Sequence, residues 1–360
     1  MKDLDDILRL AQSGSRDRAA LATIVRTHGS SYRAVGTRML VMRDGTSAGA
    51  LSAGCLEEDV RERGSNVIAT GRAMLVPYDT RRLFGCDGRI DVLIERVETD
   101  GAWAQFLAVC FEKRRRGVLL TVFEGQSLDD LGTSPLFSED FGSAQADGEF
   151  RLRFTAEAAT ALASGQSVVV EQDGAGALLH AVEPPVHLVV AGGAYDAAPL
   201  ATFASTLGWR VTVLARPEDD RSAFAGMEIL PVTAPDEWPL SADERTAAVV
   251  MTHHFGRDAA FLRQMLQLPF GYLGLLGPRR RRERLLQAID TEFHPVAAPA
   301  LARLHNPAGL DLGAETPQEI ALAIVAEIQA VMAGSAAGFL RARKGPIHRR
   351  SDAVELTASP

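Results

Sequence analysis

Val186-His-Leu-Val-Val-Ala-Gly-Gly-Ala-Tyr-Asp-Ala197 is the stretch whose reading decides the fold. Five apolar or β-favouring residues run into a glycine pair, as a buried strand enters a tight turn. Pro199–Leu207 then reads as an apolar helix ending at Gly208, and Trp209–Leu214 as a second strand. Strand, helix and strand within about 30 residues make one βαβ unit, whose two strands lie parallel. Downstream, Ala247–Thr252 and Tyr272–Leu276 read as further buried strands, each followed by a polar or basic turn and a helix. Pro317–Met332 reads as a long amphipathic helix, with Thr316-Pro-Gln-Glu319 supplying an N-cap, a first-turn proline and a capping-box acid. Residues 184–340 are therefore expected to form a Rossmann-like parallel sheet domain of α/β class.

Upstream the pattern is different. Glu183-Pro-Pro185 marks a domain boundary, because consecutive prolines cannot continue a central strand. Residues 3–13 read as a short amphipathic helix. Ala20–Val25 is a strand running into a polar loop, Arg26–Arg33, and Thr37–Met42 is a second strand turning at Asp44-Gly45. Cys55–Arg63 reads as helix, and Ala73–Tyr78 and Ile90–Glu95 as strands. Residues 1–100 thus suggest an N-terminal α+β domain of short strands. Residues 101–183 form an intermediate α+β segment with strands at Gly117–Phe123 and Ser167–Glu171, a helix at Thr155–Ala163 and a loop over 124–150. Residues 341–360 read as a disordered basic tail.

Composition narrows the function. The 360 residues carry 46% hydrophobic and 23% charged residues with a net charge of −8. An acidic chain of this kind lacks the basic face that nucleic acid demands. The start, Met1–Asp6, is acidic and without an apolar core, unlike a secretory leader. No apolar run reaches the roughly 18–20 residues that span a bilayer. Three cysteines, Cys55, Cys86 and Cys110, make no disulfide framework and suit a reducing cytoplasm.

Several candidate site residues emerge. Gly192 and Gly193, after a strand and before a helix, can cradle a phosphate on free backbone N–H groups. Ala194 and Ala197 stand where a dinucleotide fingerprint has glycines. Leu214-Ala-Arg-Pro217 stands where the ribose-binding acid is expected. Both departures argue against NAD(P). Cys55, in Ser52-Ala-Gly-Cys-Leu-Glu57, falls near a helix start, where the dipole favours thiolate. Cys86 sits in another tight loop, Gly85-Cys-Asp-Gly88. From spacing alone the plainer reading of Cys55 and Cys86 prevails, that each is a small buried hydrophobe, because neither belongs to the paired C-x-x-C form of a zinc site, and Cys110, within an apolar run, reads as core. Thr252-His-His-Phe-Gly-Arg-Asp258 follows a strand's C-terminal end, where open α/β sheets bind ligands, though a solvated loop fits His253 and His254 as well. Arg279 and Arg280 could clamp a phosphate, while Arg281 and Arg282 read as a solvated helix start.

In order along the chain, these segments resemble the XdhC/CoxI family of xanthine and carbon monoxide dehydrogenase accessory proteins. The match runs through Thr27-His-Gly-Ser-Ser-Tyr-Arg33, Ser52–Glu57, Gly85–Gly88, Gly192 to Leu200, Thr252-His253 to Asp258, Tyr272–Arg280, and Asn306–Gly313 with Thr316–Ala321. The resemblance implies a maturation chaperone that binds molybdenum cofactor (molybdopterin), supports its sulfuration and inserts it into a molybdenum hydroxylase apo-enzyme. It further implies a cysteine desulfurase as sulfur donor, a homodimer, and cofactor contacts from Cys55, Glu57, Cys86, Gly192, Gly193, Asp196, His253, Asp258 and Arg279. Among these, Cys55 is the candidate molybdenum contact. An accessory protein of this type need not be an enzyme. The competing readings are an NAD(P)-dependent oxidoreductase and an assembly factor with vestigial loops.

Overall fold

A computed structural model describes residues 2–13, 16–29, 31–79, 88–125, 127, 130–138, 142–143, 153–172, 174–232, 241–292 and 298–344. The chain divides after Pro184: the described residues up to that point form one unit, and Pro185–Arg343 a second.

The first unit holds two antiparallel sheets. One is built from β1 (Arg18–Gly29), β2 (Arg38–Met42), β3 (Ser47–Gly49), β4 (Met74–Asp79) and β5 (Gly88–Glu98), in the order β3-β2-β1-β5-β4. The other takes β6 (Gly117–Glu124), β7 (Gly132–Ser138), β8 (Gly142–Ser143), β9 (Val168–Gln172) and β10 (Ala175–Val182), in the order β8-β7-β6-β10-β9. The apolar run of β1 is continuous because both its faces are covered. Ala20, Ala22 and Ile24 pack toward helix α2 (Glu57–Thr70), while Ala19 and Leu21 pack with α1 (Lys2–Gln12) and α3 (Ala102–Glu112). Val25, Leu93, Phe123, Val169 and Leu178 form a core cluster drawn from both sheets. Helix α4 (Thr155–Ser164) buries Ala158 and Ala161 on the second sheet.

The structure corrects several expectations here. Arg26–Gly29, expected as a loop, continues β1 as a ladder against β5, with Thr27 opposite Ile90 and Gly29 opposite Gly88. Helix α2 begins at Glu57 rather than Cys55 and runs to Thr70. Helix α3 and strand β10 have no counterpart among the sequence-based expectations, and β7 lies inside the expected loop over 124–150. Cys110 is buried in α3, as expected of a core residue. Cys86 and residues 345–360 lie outside the described residues.

The second unit carries a six-stranded parallel sheet: β11 (His187–Ala191), β12 (Arg210–Ala215), β13 (Glu228–Pro231), β14 (Thr246–Val250), β15 (Tyr272–Leu275) and β16 (Leu304–His305). Its order, β13-β12-β11-β14-β15-β16, is the doubly wound 3-2-1-4-5-6 arrangement. Along β11, Leu188 and Val190 pack toward α5 (Ala197–Thr206) and α9 (Pro317–Met332). Val189 and Ala191 pack toward α6 (Phe255–Leu266) and α7 (Arg279–Glu292). Burial on both faces explains the unbroken apolar strand. The capping box at α9 is formed: Thr316 Oγ1 accepts from the Glu319 amide, and the Glu319 carboxylate accepts from the Thr316 amide at 2.8 Å. A short helix, α8 (Ala298–Leu301), precedes β16. Among the described residues, no helix is long and apolar enough to cross a membrane.

Candidate functional site

Strand β11 pairs with β12 on one side and β14 on the other, so the winding direction reverses at its C-terminal end. Such a reversal opens a crevice between the loops that leave the two strands. The glycine pair lies in that crevice. Gly192 adopts φ +139°, and a Cβ there would stand 2.6 Å from the Met251 carbonyl oxygen. A Cβ on Gly193 would stand 2.8 Å from the Ala215 Cβ. Only side-chain-free residues let the ends of β11, β12 and β14 close this tightly. The result is a cavity of about 150 Å³ whose wall includes Gly192, Gly193, Arg216, Asp219, His253 and Arg257.

Asp196 and His253 meet at its edge. Asp196 is the N-cap residue of α5, yet its side chain does not cap the helix. Its Oδ2 instead lies 2.7 Å from His253 Nε2, while its buried Oδ1 has no hydrogen-bond partner. His253 reaches Asp196 from a left-handed backbone conformation, φ +59°. A non-glycine residue at positive φ is held there by its surroundings, and such residues gather at ligand sites.

Asp258 supports this loop from beneath. It is about 1% exposed. Its Oδ1 accepts from the Thr252 amide (3.1 Å) and hydroxyl (2.6 Å), and its Oδ2 from Arg281 Nη2 (2.6 Å). Arg281 is therefore no solvated helix-start residue, contrary to expectation: it neutralises a buried carboxylate. Arg279 is the first residue of α7, exposed, and absent from the crevice wall. Its expected phosphate contact gains no support from that placement.

Asp219 belongs to the site although no sequence motif points to it. The turn after β12, closed by the Asp219 amide on the Arg216 carbonyl at 3.2 Å, carries this carboxylate back into the cavity wall. Its Oδ2 accepts from the Arg216 amide (2.8 Å), and its Oδ1 from Arg216 Nε (2.9 Å) and Nη2 (2.7 Å). Burial opposes its ionisation, but the hydrogen bonds from Arg216 outweigh it and hold the carboxyl below the usual aspartate range.

In the first unit, Cys55 is exposed on the loop that enters α2, immediately before the N-cap residue Leu56. Glu57 ties that loop down. Its Oε1 accepts from the amides of Leu51 (3.0 Å) and Ser52 (2.7 Å). Its Oε2 accepts from the Ser52 hydroxyl (2.6 Å) and the Leu56 amide (3.1 Å). The Ser52 oxygen in turn accepts from the amides of Gly54, Cys55 and Leu56. Burial opposes ionisation of Glu57, but the bonds from Ser52 and the backbone amides prevail and hold its carboxyl below the usual glutamate range. Both oxygens are committed to the loop itself, so Glu57 positions Cys55 and has no face to offer a ligand. Arg33 fixes the loop's other end by donating from Nε and Nη2 to the Ala50 carbonyl, and its guanidinium also pairs with Asp3. Among the described residues, no group of three or more His, Cys, Asp or Glu is placed to hold a metal ion.

Both units have counterparts among known proteins. Residues 13–79 match the model of the XdhC and CoxI family, and residues 188–328 that of the XdhC Rossmann domain. The chain is 30% identical over 335 residues to a Bacillus subtilis protein described as a probable xanthine dehydrogenase component, covering 87% of this chain and 93% of that one. It is 31% identical over 174 residues to the uncharacterized protein YqeB of Escherichia coli, covering 45% of this chain and 30% of that protein. A crystal structure of a xanthine dehydrogenase from Bacillus halodurans superposes with a TM-score of 0.70 at 27% identity, covering 94% of this chain and 98% of the other. With both halves matched in order and a relative aligned over nearly its whole length, the chain belongs to the XdhC/CoxI family.

Proposed function

We propose that the protein is a maturation factor for molybdenum hydroxylases of the xanthine dehydrogenase type. In this reading it binds molybdenum cofactor as cargo, keeps it accessible while a cysteine desulfurase supplies sulfur, and delivers it to the apo-enzyme as a homodimer. The glycine-lined crevice at the winding reversal carries the proposal. The Gly192 amide, expected to be free for a phosphate, instead donates to the Leu214 carbonyl (3.0 Å), so the crevice offers the amides that follow it, those of Gly193 and Ala194, and a helix start to a terminal phosphate, the group that a pterin cofactor of this kind presents. The buried, unpartnered Asp196 Oδ1 beside it suits a ligand that donates a hydrogen bond, as a pterin does through its ring N–H groups. Within the first unit, the exposed Cys55 thiol, on a loop clamped by Glu57 and Ser52, is by itself suited to the cargo's chemistry: thiolate sulfur is a soft ligand matched to a molybdenum–sulfur centre.

The test is direct. The full chain is incubated with molybdenum cofactor released from a donor enzyme, desalted, and assayed for metal and pterin. Near-stoichiometric retention is expected, weakened by Cys55→Ala and by Gly193→Val. Absence of retention by the wild-type chain refutes the proposal. Retention undiminished in Cys55→Ala removes Cys55 from it.

A further inference from the structure

We propose that the crevice at the ends of β11, β12 and β14 is a ribonucleotide site, with Asp219 accepting hydrogen bonds from a ribose whose 2′ and 3′ hydroxyls are both free. In doubly wound sheets of this strand order, a pyrophosphate lies on the glycine turn after the first strand. The ribose beyond it reaches an acid at the end of the second. Here the second strand ends in Ala215 and Arg216, and the acid is missing from its usual place in the sequence. The structure returns it in space. Asp219 stands in the wall of the same cavity as the glycines, and its Oδ2 is 3.0 Å from where a Gly193 Cβ would be. It overhangs the point where the ligand backbone must pass.

Its hydrogen-bond capacity fits the task. Oδ1 is occupied twice by the Arg216 guanidinium, whereas Oδ2 has accepted one bond, from the Arg216 amide. A carboxylate oxygen accepts about two, which leaves a position for a ribose hydroxyl. Arg216 decides the class of ribose. A guanidinium at this position can serve a 2′-phosphate, but this one is committed to Asp219 at 2.7 Å and to Glu218 at 3.3 Å. A 2′-phosphate would therefore meet two carboxylates around an already neutralised cation, while the other guanidinium of the wall, Arg257, is turned to the Val232 carbonyl at 3.2 Å. The site favours a nucleoside diphosphate derivative with an unmodified ribose and selects against its 2′-phosphorylated counterpart.

This inference does not rest on the cofactor proposal, but both place a phosphate on the same glycine turn, so the two ligands would compete for one crevice. The two are read apart by different measurements. NADH and NADPH serve as probes that differ only in the 2′-phosphate. Titration of the full chain, followed by cofactor fluorescence and by calorimetry, is expected to give NADH at least about tenfold tighter than NADPH, the scale of one charged hydrogen-bond contact. Asp219→Ala is expected to weaken NADH about tenfold and, by releasing Arg216, to erase or invert the preference. Asp219→Asn keeps one acceptor oxygen for the Arg216 amide, guards against a misfolded loop, and is expected to shift the preference in the same direction. Three results would overturn the inference: no NADH binding by the wild-type chain at millimolar concentration, a wild-type preference for NADPH, or folded Asp219 variants with unaltered preference. Molybdenum retention by the same preparations reports separately on the maturation proposal.

Discussion

Replacing Glu57 by Gln tests whether the loop that presents Cys55 is built by a single buried carboxylate. The substitution keeps size and shape. A glutamine carbonyl can still accept from the Leu51 and Ser52 amides, now as a neutral group. Its NH2 would face the Leu56 amide donor to donor, and the Ser52 hydroxyl would lose its acceptor. That hydroxyl cannot simply turn around, because its oxygen already accepts from three amides. Hydrogen bonds to charged groups contribute about 1.5–3 kcal/mol each, and these four share one network, so a loss of about 2–3 kcal/mol is expected. In a unit of this size that lowers the midpoint of thermal unfolding by roughly 4–12 °C. The pH dependence follows from the lowered carboxyl. Its stabilisation is fully present above the unfolded glutamate value of about 4.3 and is lost as pH falls through the lower folded value. The gap between wild type and Glu57→Gln should be widest near pH 7 and should narrow below pH 4. Hydrogen exchange at the amides of residues 51–56 should accelerate in the variant, whereas β1 should stay protected. A midpoint shift under about 1 °C at pH 7, with unaltered exchange in this loop, would refute the reasoning.

Asp258→Ala should be the more damaging change in the second unit. It strips the Thr252 amide of its acceptor, leaves the Thr252 hydroxyl only the longer bond to the His254 carbonyl, and leaves the Arg281 guanidinium without its carboxylate, a loss of about 3–5 kcal/mol measurable as a lower urea midpoint. Gly192→Ala forces a Cβ to within 2.6 Å of the Met251 carbonyl at φ +139°. It should destabilise by about 2–4 kcal/mol by the same assay, and an unchanged midpoint would mean the turn is not as tight as described. Thr316→Ala removes half of the α9 capping box and should lower stability by about 1 kcal/mol in thermal melts, with no effect on ligand retention.

The parallel domain is legible in the sequence because its strands are covered on both faces. That burial writes Leu188–Ala191 and Ala247–Val250 as apolar runs that need no period to be recognised. The α9 start is legible because a threonine, a proline and a glutamate each carry local instructions that no tertiary contact overrides. Helix α3 is not, since Ala102–Phe111 is apolar around nearly its whole circumference and shows no polar face from which to read a period. The end of β1 is hidden for the opposite reason. Thr27, His28 and Gly29 lie where the ladder outruns the core, so backbone pairing with β5 holds them and their side chains give no sign of it. Strand β7 carries Pro135 and is anchored by Glu95 through the Thr133 amide and hydroxyl, a partnership of residues far apart in sequence.

At the candidate sites the motifs are visible in the sequence but the division of labour is not. A loop of glycine, alanine and serine has little side chain with which to fix itself, so a nearby charge must do it. Glu57 fixes the Ser52–Leu56 loop, and Asp258 fixes the turn at Thr252. Both charges sit inside the motif, and both face inward, which spacing cannot reveal because adjacent residues on a helix start point to different sides. Asp219 shows the converse. It lies outside every expected position, yet the bidentate grip of Arg216, the residue that breaks the sequence pattern, turns it into the cavity. The same arginine that removes the acid from the strand end thus restores it from the following turn. Its place at the strand end is set by reach in space through the Arg216 pairing and not by a fixed offset along the chain.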